Sequence, residues 1–242
     1  MLDRIGHLIK RPGLPDPSYR FLLEAEPADE AVSLDCETTG FDPRVDEVVS
    51  IAAIRIAGRR ILASSAFRAL VRPEGAMRPD SIKVHRLRQQ DVAQAQPMSE
   101  VLLLHFIGSR PLVGYWIQFD VRMLDEYLLA MIDMRLPSRQ IDVSRLHYDR
   151  KYGTAPPGTH VDLRYAAIRA DLKLPTRAQH DAFEDAVGAA EILSCARGDA
   201  GAQRAVVASE VRSSRRLLDR LSGTDTRSVR RCPGWHTAGS AA

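Results

Sequence analysis

The sequence predicts an α/β domain, a mixed β-sheet flanked by α-helices, and three observations predict it. From residue 31, three apolar stretches follow one another, separated by turns containing Gly or Pro, as in an antiparallel meander. Beyond them, candidate helices and short strands alternate. The chain has 242 residues, 45% of them hydrophobic, which is enough to bury one substantial core.

Residues 1–30 carry Pro12, Pro15, Pro17 and Pro27 around the apolar cluster Tyr19 to Leu23, the habit of a partly ordered extension packed on a domain. The three strands are VSLDC (32–36), EVVSIAAIRI (47–56) and RRILASSAFRALVRP (59–73). A helix over about 99–108 follows, then a strand at PLVG (111–114) and a helix from Phe119 to about Met131. A strand near Gln140 to Val143 and helices near 162–172 and 181–195 complete the domain. Tyr148 to His160 is rich in Pro and Gly and reads as a surface loop. In the last stretch, Val207, Val211, Leu218 and Leu221 recur at helical spacing, with Arg204, Arg212, Arg215, Arg216 and Arg220 mostly off that stripe. The expected organisation is an N-terminal extension (1–30), a domain (31–196) and an arginine-rich C-terminal helix and tail (197–242). A solvated helix face accounts for those arginines more simply than a salt-dependent substrate contact.

The formal net charge of +3 gives no bulk polycation effect that dictates a nucleic-acid partner. Cys36, Cys195 and Cys232 are odd in number and lack CxxC spacing, which argues against a disulfide framework and a structural zinc site. The N-terminus lacks the apolar core of a secretory signal, and no run of 18 apolar residues offers a membrane span. A soluble, cytoplasmic protein with no membrane partner is expected.

The chemistry begins at VSLDCETTG (32–40), where two acids close an apolar run. Side chains alternate along a strand, so Asp35 and Glu37 share a face about 6.5 Å apart while Cys36 points the other way. Their repulsion is relieved by a proton or by a bound cation. Asp120 appears among Phe119, Met123, Leu124, Tyr127 and Leu128, the packing face of its helix; an acid there needs a partner, unless it serves the first turn of the helix as a favourable charge. In QHDAFEDAVGAAEIL (179–193), Asp181 and Glu184 form a D-x-x-E capping box. The helix then starts at Asp181, and His180 stands outside it, free to reach the face from which Asp185 projects. Taken singly, each of these residues also has a plain reading as a solvated strand end, a helix cap or a surface histidine.

Together, LDCETTG (34–40), VGYWIQFDVRML (113–124) and HDAFEDA (180–186) resemble the motifs of the DEDDh family of 3'-to-5' exonucleases, which includes the proofreading epsilon subunit of bacterial DNA polymerase III, RNase T and oligoribonuclease. KVHRLRQQDV (83–92) is similar to the family's stretch that touches the terminal nucleotide. The resemblance covers about residues 31–196 and implies an RNase H-like fold and a metal-dependent 3'-5' exonuclease of nucleic acid; DNA is expected ahead of RNA as the substrate, although exonucleases of both kinds share these motifs. It implies that Asp35, Glu37, Asp120 and Asp185 hold two divalent ions, Mg2+ or Mn2+, with His180 as general base. Hard oxygen ligands favour such ions over zinc. It further implies that Thr38, Thr39, Gly40, His85, Leu87 and Phe119 contact the terminal nucleotide. Tyr115 and Trp116 depart from the His-Asn often found in the family, and large aromatics there are suited to stack a base. Ser50 stands where many relatives carry an acid that is not a metal ligand. The implied partners are single-stranded or 3'-terminal DNA or RNA, with a DNA polymerase subunit as a further candidate. The competing readings are an oligoribonuclease-like or RNase T-like RNA exonuclease, a phosphodiesterase of short oligonucleotides, and a non-catalytic module that binds nucleic acid or a polymerase. The retained His180 argues against the last, because binding needs no base.

Overall fold

The computed structural model describes residues 17–98, 103–156 and 158–197. Its centre is β1 (Glu30–Thr38), which pairs antiparallel with β2 (Val48–Ala57) on one side and parallel with β5 (Leu112–Gly114) on the other. β3 (Arg60–Ile61) and β4 (Phe67–Leu70) both pair antiparallel with β2, and β6 (Gln140–Asp142) pairs parallel with β5. The sheet order is thus β3-β2-β1-β5-β6, with β4 continuing along β2. The meander is present, but its third strand is broken in two. Ile61 lies opposite Ile56 and Phe67 opposite Ala53, so the surplus residues loop out as a 3-10 turn at Ala63–Ser65.

The alternation of β1 assigns its side chains to two cores. Val32, Leu34 and Cys36 pack with Ile51 and Leu112 against α4 (Ile117–Ile132), chiefly Ile117, Val121, Leu124 and Leu128, and against α3 (Leu103–Ile107). The other face of the sheet, with Ile54, Ile56 and Val113, packs against α7 (Ala182–Ala196) and α6 (Tyr165–Asp171). Asp35 and Glu37 belong to this second face by alternation, and Ser33 between it and the strand start donates to the Ala186 carbonyl of α7 at 2.7 Å. Ala186, Gly188, Ala189 and Ala190 make α7 thin enough for this approach. At Gly188 a Cβ would lie 1.7 Å from the Tyr165 hydroxyl, so no larger residue fits without displacing that ring.

Three short helices were not foreseen in the sequence. α1 (Pro79–His85) has Pro at its first position and ends where Arg86 turns left-handed at φ 64°. α2 (Gln89–Val92) is a single turn. α5 (Val143–Tyr152) occupies the first part of the stretch expected to be a loop; Asp142 caps it, accepting from the Ser144 N–H at 2.8 Å. Only Val143, Ser144 and His147 of α5 are buried, so its apolar periodicity was too weak to read. In the N-terminal segment, a 3-10 turn at Pro17–Leu23 buries Leu22 and stacks Phe21 on His105 with ring centroids 4.6 Å apart. The start of the helix expected over 99–108 and the arginine-faced helix expected near the C-terminus lie outside the described residues. Among the described residues no helix is long and apolar enough to cross a membrane.

Candidate active site

A cleft of about 450 Å³ opens over the C-terminal end of β1. Asp35, Glu37 and Asp185 bring carboxylate oxygens within 4.8 Å of one another on its floor. β1 supplies two of the three, and α7 supplies the third from its first turn. Asp181 caps that helix, its carboxylate accepting from the Phe183 and Glu184 N–H groups at 3.1 and 3.0 Å. The Glu184 side chain reaches Arg177, 2.8 Å away. His180 precedes the helix in a left-handed conformation (φ 64°), and its backbone N–H donates to Asp185 Oδ2 at 2.7 Å. That bond fixes the Asp185 carboxylate beside an exposed imidazole.

Asp120 lies in the first turn of α4, just outside this group of three, with 4% exposure. β5 pairs with β1 only at Val32 and Ser33, so the Cys36 N–H on that edge has no strand to meet. The Asp120 Oδ1 accepts it at 2.9 Å and so ties α4 to the end of β1.

The electrostatics of the four acids are unfavourable as they stand. Burial raises Asp35 well above the usual carboxylate range, and Asp120, Asp185 and Glu37 push it further. Burial and then the Asp185 charge raise Glu37 to about 8. Burial brings Asp120 to about 7 against the pull of the Cys36 N–H, and Asp185 to about 6 against the pull of His180. Glu37 Oε1 is buried with no hydrogen-bond partner. An orphaned carboxylate oxygen among converging acids fits a hard divalent cation, which satisfies the oxygen and offsets the repulsion at once.

The remaining residues expected in the site divide. Thr38, Thr39, Gly40, His85, Tyr115 and Phe119 all line the cleft with His180. Leu87 and Trp116 do not. Leu87 follows the left-handed turn at Arg86 and packs with Val49, Met77 and Val92. Trp116 is 64% exposed, one step outside the cleft, its ring stacked on Tyr115 at 6.1 Å. The hydroxyls of Thr38 and Thr39 serve the turn itself: Thr38 donates to the Gly40 carbonyl at 2.6 Å, and Thr39 accepts the Glu47 N–H at 2.9 Å. His85 is buried, and its Nδ1 accepts the Leu87 N–H at 3.1 Å, which leaves Nε2 as the donor side. Burial lowers its pKa. Phe41, Arg78 and Tyr165 also line the cleft and carried no recognisable signal. Tyr165 looked like one more apolar residue of a helix, and Arg78 was lost in an arginine-rich chain.

A curled mixed sheet whose central strand ends in carboxylates, completed by acids from two flanking helices, is the architecture of the RNase H-like nucleases. The sequence profile of the RNase T exonuclease family matches residues 32–193, and the chain belongs to that family. It is 33% identical over 99 residues to the DNA polymerase III epsilon subunit of Aquifex aeolicus, covering 40% of this chain and 48% of that one. It is 30% identical over 194 residues to an epsilon-like protein of Rhodobacter capsulatus, covering 77% of this chain and 27% of the relative. The chain thus spans less than half the length of these relatives. Among solved structures, exonuclease X in complex with 5'-overhanging duplex DNA superposes with a TM-score of 0.55 at 22% identity, over 73% of this chain and 99% of that chain. Cell-death related nuclease 4 superposes at 0.58 and 19% identity, over 69% and 63%. These likenesses show the RNase H-like fold.

Proposed function

We propose that residues 31–196 form an exonuclease domain that hydrolyses phosphodiester bonds from the 3' end of DNA and releases nucleoside monophosphates. The observation that carries the reading is the conjunction of the buried, unpartnered Glu37 Oε1 with Asp35 and Asp185, beside an exposed His180 that is itself bonded to Asp185. Asp35, Glu37, Asp120 and Asp185 are the residues that would hold two divalent ions, Mg2+ or Mn2+. When bound, such ions supply Lewis-acid activation of the nucleophile and charge stabilisation on the phosphoryl oxygens.

The side chains do the rest. His180 is exposed at the cleft rim and takes the proton of the attacking water as general base. Its backbone bond to Asp185 holds acid and base in one frame, so that the base is positioned by the same residue that binds the cation. The turn from Thr38 to Gly40 cannot spare its hydroxyls, so it meets the terminal nucleotide through its backbone and shape. Phe119, covered at one edge by Phe41 at 6.1 Å, and Tyr115 provide apolar walls for an unstacked base. The relatives called polymerase III epsilon subunits support a role beside a DNA polymerase, in proofreading or repair.

The test is gel-resolved digestion of 5'-labelled single-stranded DNA and RNA of one sequence, with Mg2+, Mn2+ or EDTA, for the wild type and His180→Ala. The expected result is a metal-dependent ladder of single-nucleotide steps, faster on DNA and slowed about 10²–10⁴-fold in the variant. Intact substrate in every metal condition sinks the catalytic reading.

A further inference from the structure

The cleft is lined by Asp35, Glu37, Asp80 and Asp185, a surface that repels a polyanion. Arg78 is the only arginine or lysine among the described residues that line it. Its side chain is 58% exposed, yet one nitrogen, Nη2, lies 3.1 Å from Oδ1 of Asp46, whose side chain is only 3% exposed. Asp46 is in turn fixed by the turn that carries the first acids. It accepts the Asp42 N–H at 2.9 Å and the Thr39 hydroxyl at 3.3 Å. At Gly40 a Cβ would lie 2.5 Å from the Asp46 carboxylate, so the turn is moulded closely around that anion. The structure gives Arg78 no other ion pair among the described residues.

An exposed arginine normally loses side-chain entropy when it grips a ligand. Here a buried carboxylate already holds one guanidinium nitrogen in an ion pair, and most of the side chain stays exposed. A guanidinium has five N–H donors in a rigid plane, and the pattern suits bidentate capture of phosphate oxygens. We propose that Arg78 is a backbone-phosphate contact of the substrate strand, aimed by Asp46, and that it offsets the repulsion of the acids as the strand enters. The proposal deepens the nuclease reading and rests on it. It assigns Arg78 to binding, without a part in bond cleavage, and to the backbone, so the contact is indifferent to base identity.

Binding of a fluorescein-labelled single-stranded oligothymidylate is measured by anisotropy with Ca2+ in place of Mg2+, across a salt series, for the wild type, Arg78→Gln, Arg78→Lys and Arg44→Gln. Arg44 pairs with Asp42 and is 82% exposed, outside the cleft, and serves as the control. Arg78→Gln is expected to bind about tenfold more weakly, with a log K against log salt slope shallower by about 0.7, one phosphate's share. Arg78→Lys keeps the slope because the charge remains, while Arg44→Gln matches the wild type. Replacing single phosphates by methylphosphonate identifies one position that weakens the wild type and leaves Arg78→Gln unmoved. At saturating substrate, kcat of Arg78→Gln stays close to that of the wild type while KM rises. Weaker binding with an unchanged slope would assign Arg78 to propping the Asp46 turn and overturn the proposal, as would unchanged binding. A wild type that binds but does not cleave sinks the nuclease reading and leaves the phosphate contact readable from the slopes; a wild type that does not bind removes both.

Discussion

Helix α7 carries buried charge on two sides, and the two sides are built on opposite rules. Toward the back, Glu191 accepts from Arg169 at 2.8 Å and from Arg177 at 2.6 and 3.0 Å, while Arg177 also reaches Glu184 at 2.8 Å. Each of these four side chains is less than a tenth exposed, and each carboxylate meets a guanidinium. Toward the cleft, Asp185 faces Asp35 and Glu37, and among the described residues no arginine or lysine forms an ion pair with any of the three. On the back every carboxylate is paired with a guanidinium, although Arg169 Nε is left without a hydrogen-bond partner, whereas the cleft acids have no such pairing. Like charges that converge in a cleft without a pairing guanidinium fit a cation supplied from outside the chain, and that contrast points to the cleft as the functional side.

The sharpest way to break this comparison is to neutralise one charged group on each side, a carboxylate in the cleft and a guanidinium at the back. Glu37→Gln removes an unbalanced charge, so nuclease turnover should fall by about 10⁴-fold while the metal-free protein melts at a higher temperature than the wild type. Arg177→Met takes a buried guanidinium away from Glu184 and Glu191, so unfolding free energy should drop by about 3–5 kcal/mol, with loss of activity only as the fold is lost. Both are read by thermal melts beside a turnover assay. If Glu37→Gln destabilised the metal-free protein as Arg177→Met does, the two sides would be alike and the cleft acids would be structural.

The pH dependence is the second test. A carboxyl whose folded pKa is raised keeps its proton in the fold longer than in the unfolded chain, so the folded state binds more protons and stability falls as pH rises through that interval. With Glu37 raised to about 8, Asp120 to about 7 and Asp185 to about 6, the interval runs from the usual carboxylate values near 4 up to about 8. Melting with EDTA should therefore drop by several degrees between the two ends, and Mn2+ should restore most of the loss at the upper end. A flat profile with EDTA would mean that the acids are screened and not mutually strained.

How far the sequence revealed all this depended on whether a residue acts through period or through place. The acids of β1 were legible because alternation is a rigid rule: Asp35 and Glu37 had to share a face, and Ser33 and α7 confirm which one. Asp181 as helix cap was legible for the same reason, since the cap bonds local N–H groups. The partner of Glu184 was not, because Arg177 sits in a loop whose path no period specifies. The break between β3 and β4 falls at Ala63–Ser65, where two serines but no Gly or Pro interrupt the stretch, and it was not legible because pairing register is a property of two strands. Asp120 could be singled out as an acid on a packing face, but its actual partner, a backbone N–H stranded by the short β5, depends on where two strands diverge. Arg78 matters only because Asp46 reaches it across a turn and a helix start.

The smallest effect expected is at Trp116, and it separates strain from stacking. Trp116 holds a left-handed backbone (φ 59°) at the start of α4, which costs a non-glycine residue roughly 1–2 kcal/mol, and its ring remains 64% exposed. Neither feature helps the fold. Trp116→Gly relieves the backbone while adding freedom to the unfolded chain, so the net change in stability should stay within about 1 kcal/mol. If the ring stacks a base of the strand leaving the cleft, affinity for single-stranded DNA should weaken by about 1 kcal/mol in the same variant, measured by the anisotropy assay, and Trp116→Phe should recover part of it. An unchanged affinity would place the reading of the strand entirely on Tyr115 and Phe119, inside the cleft, and would leave the left-handed tryptophan as a cost that binding does not explain.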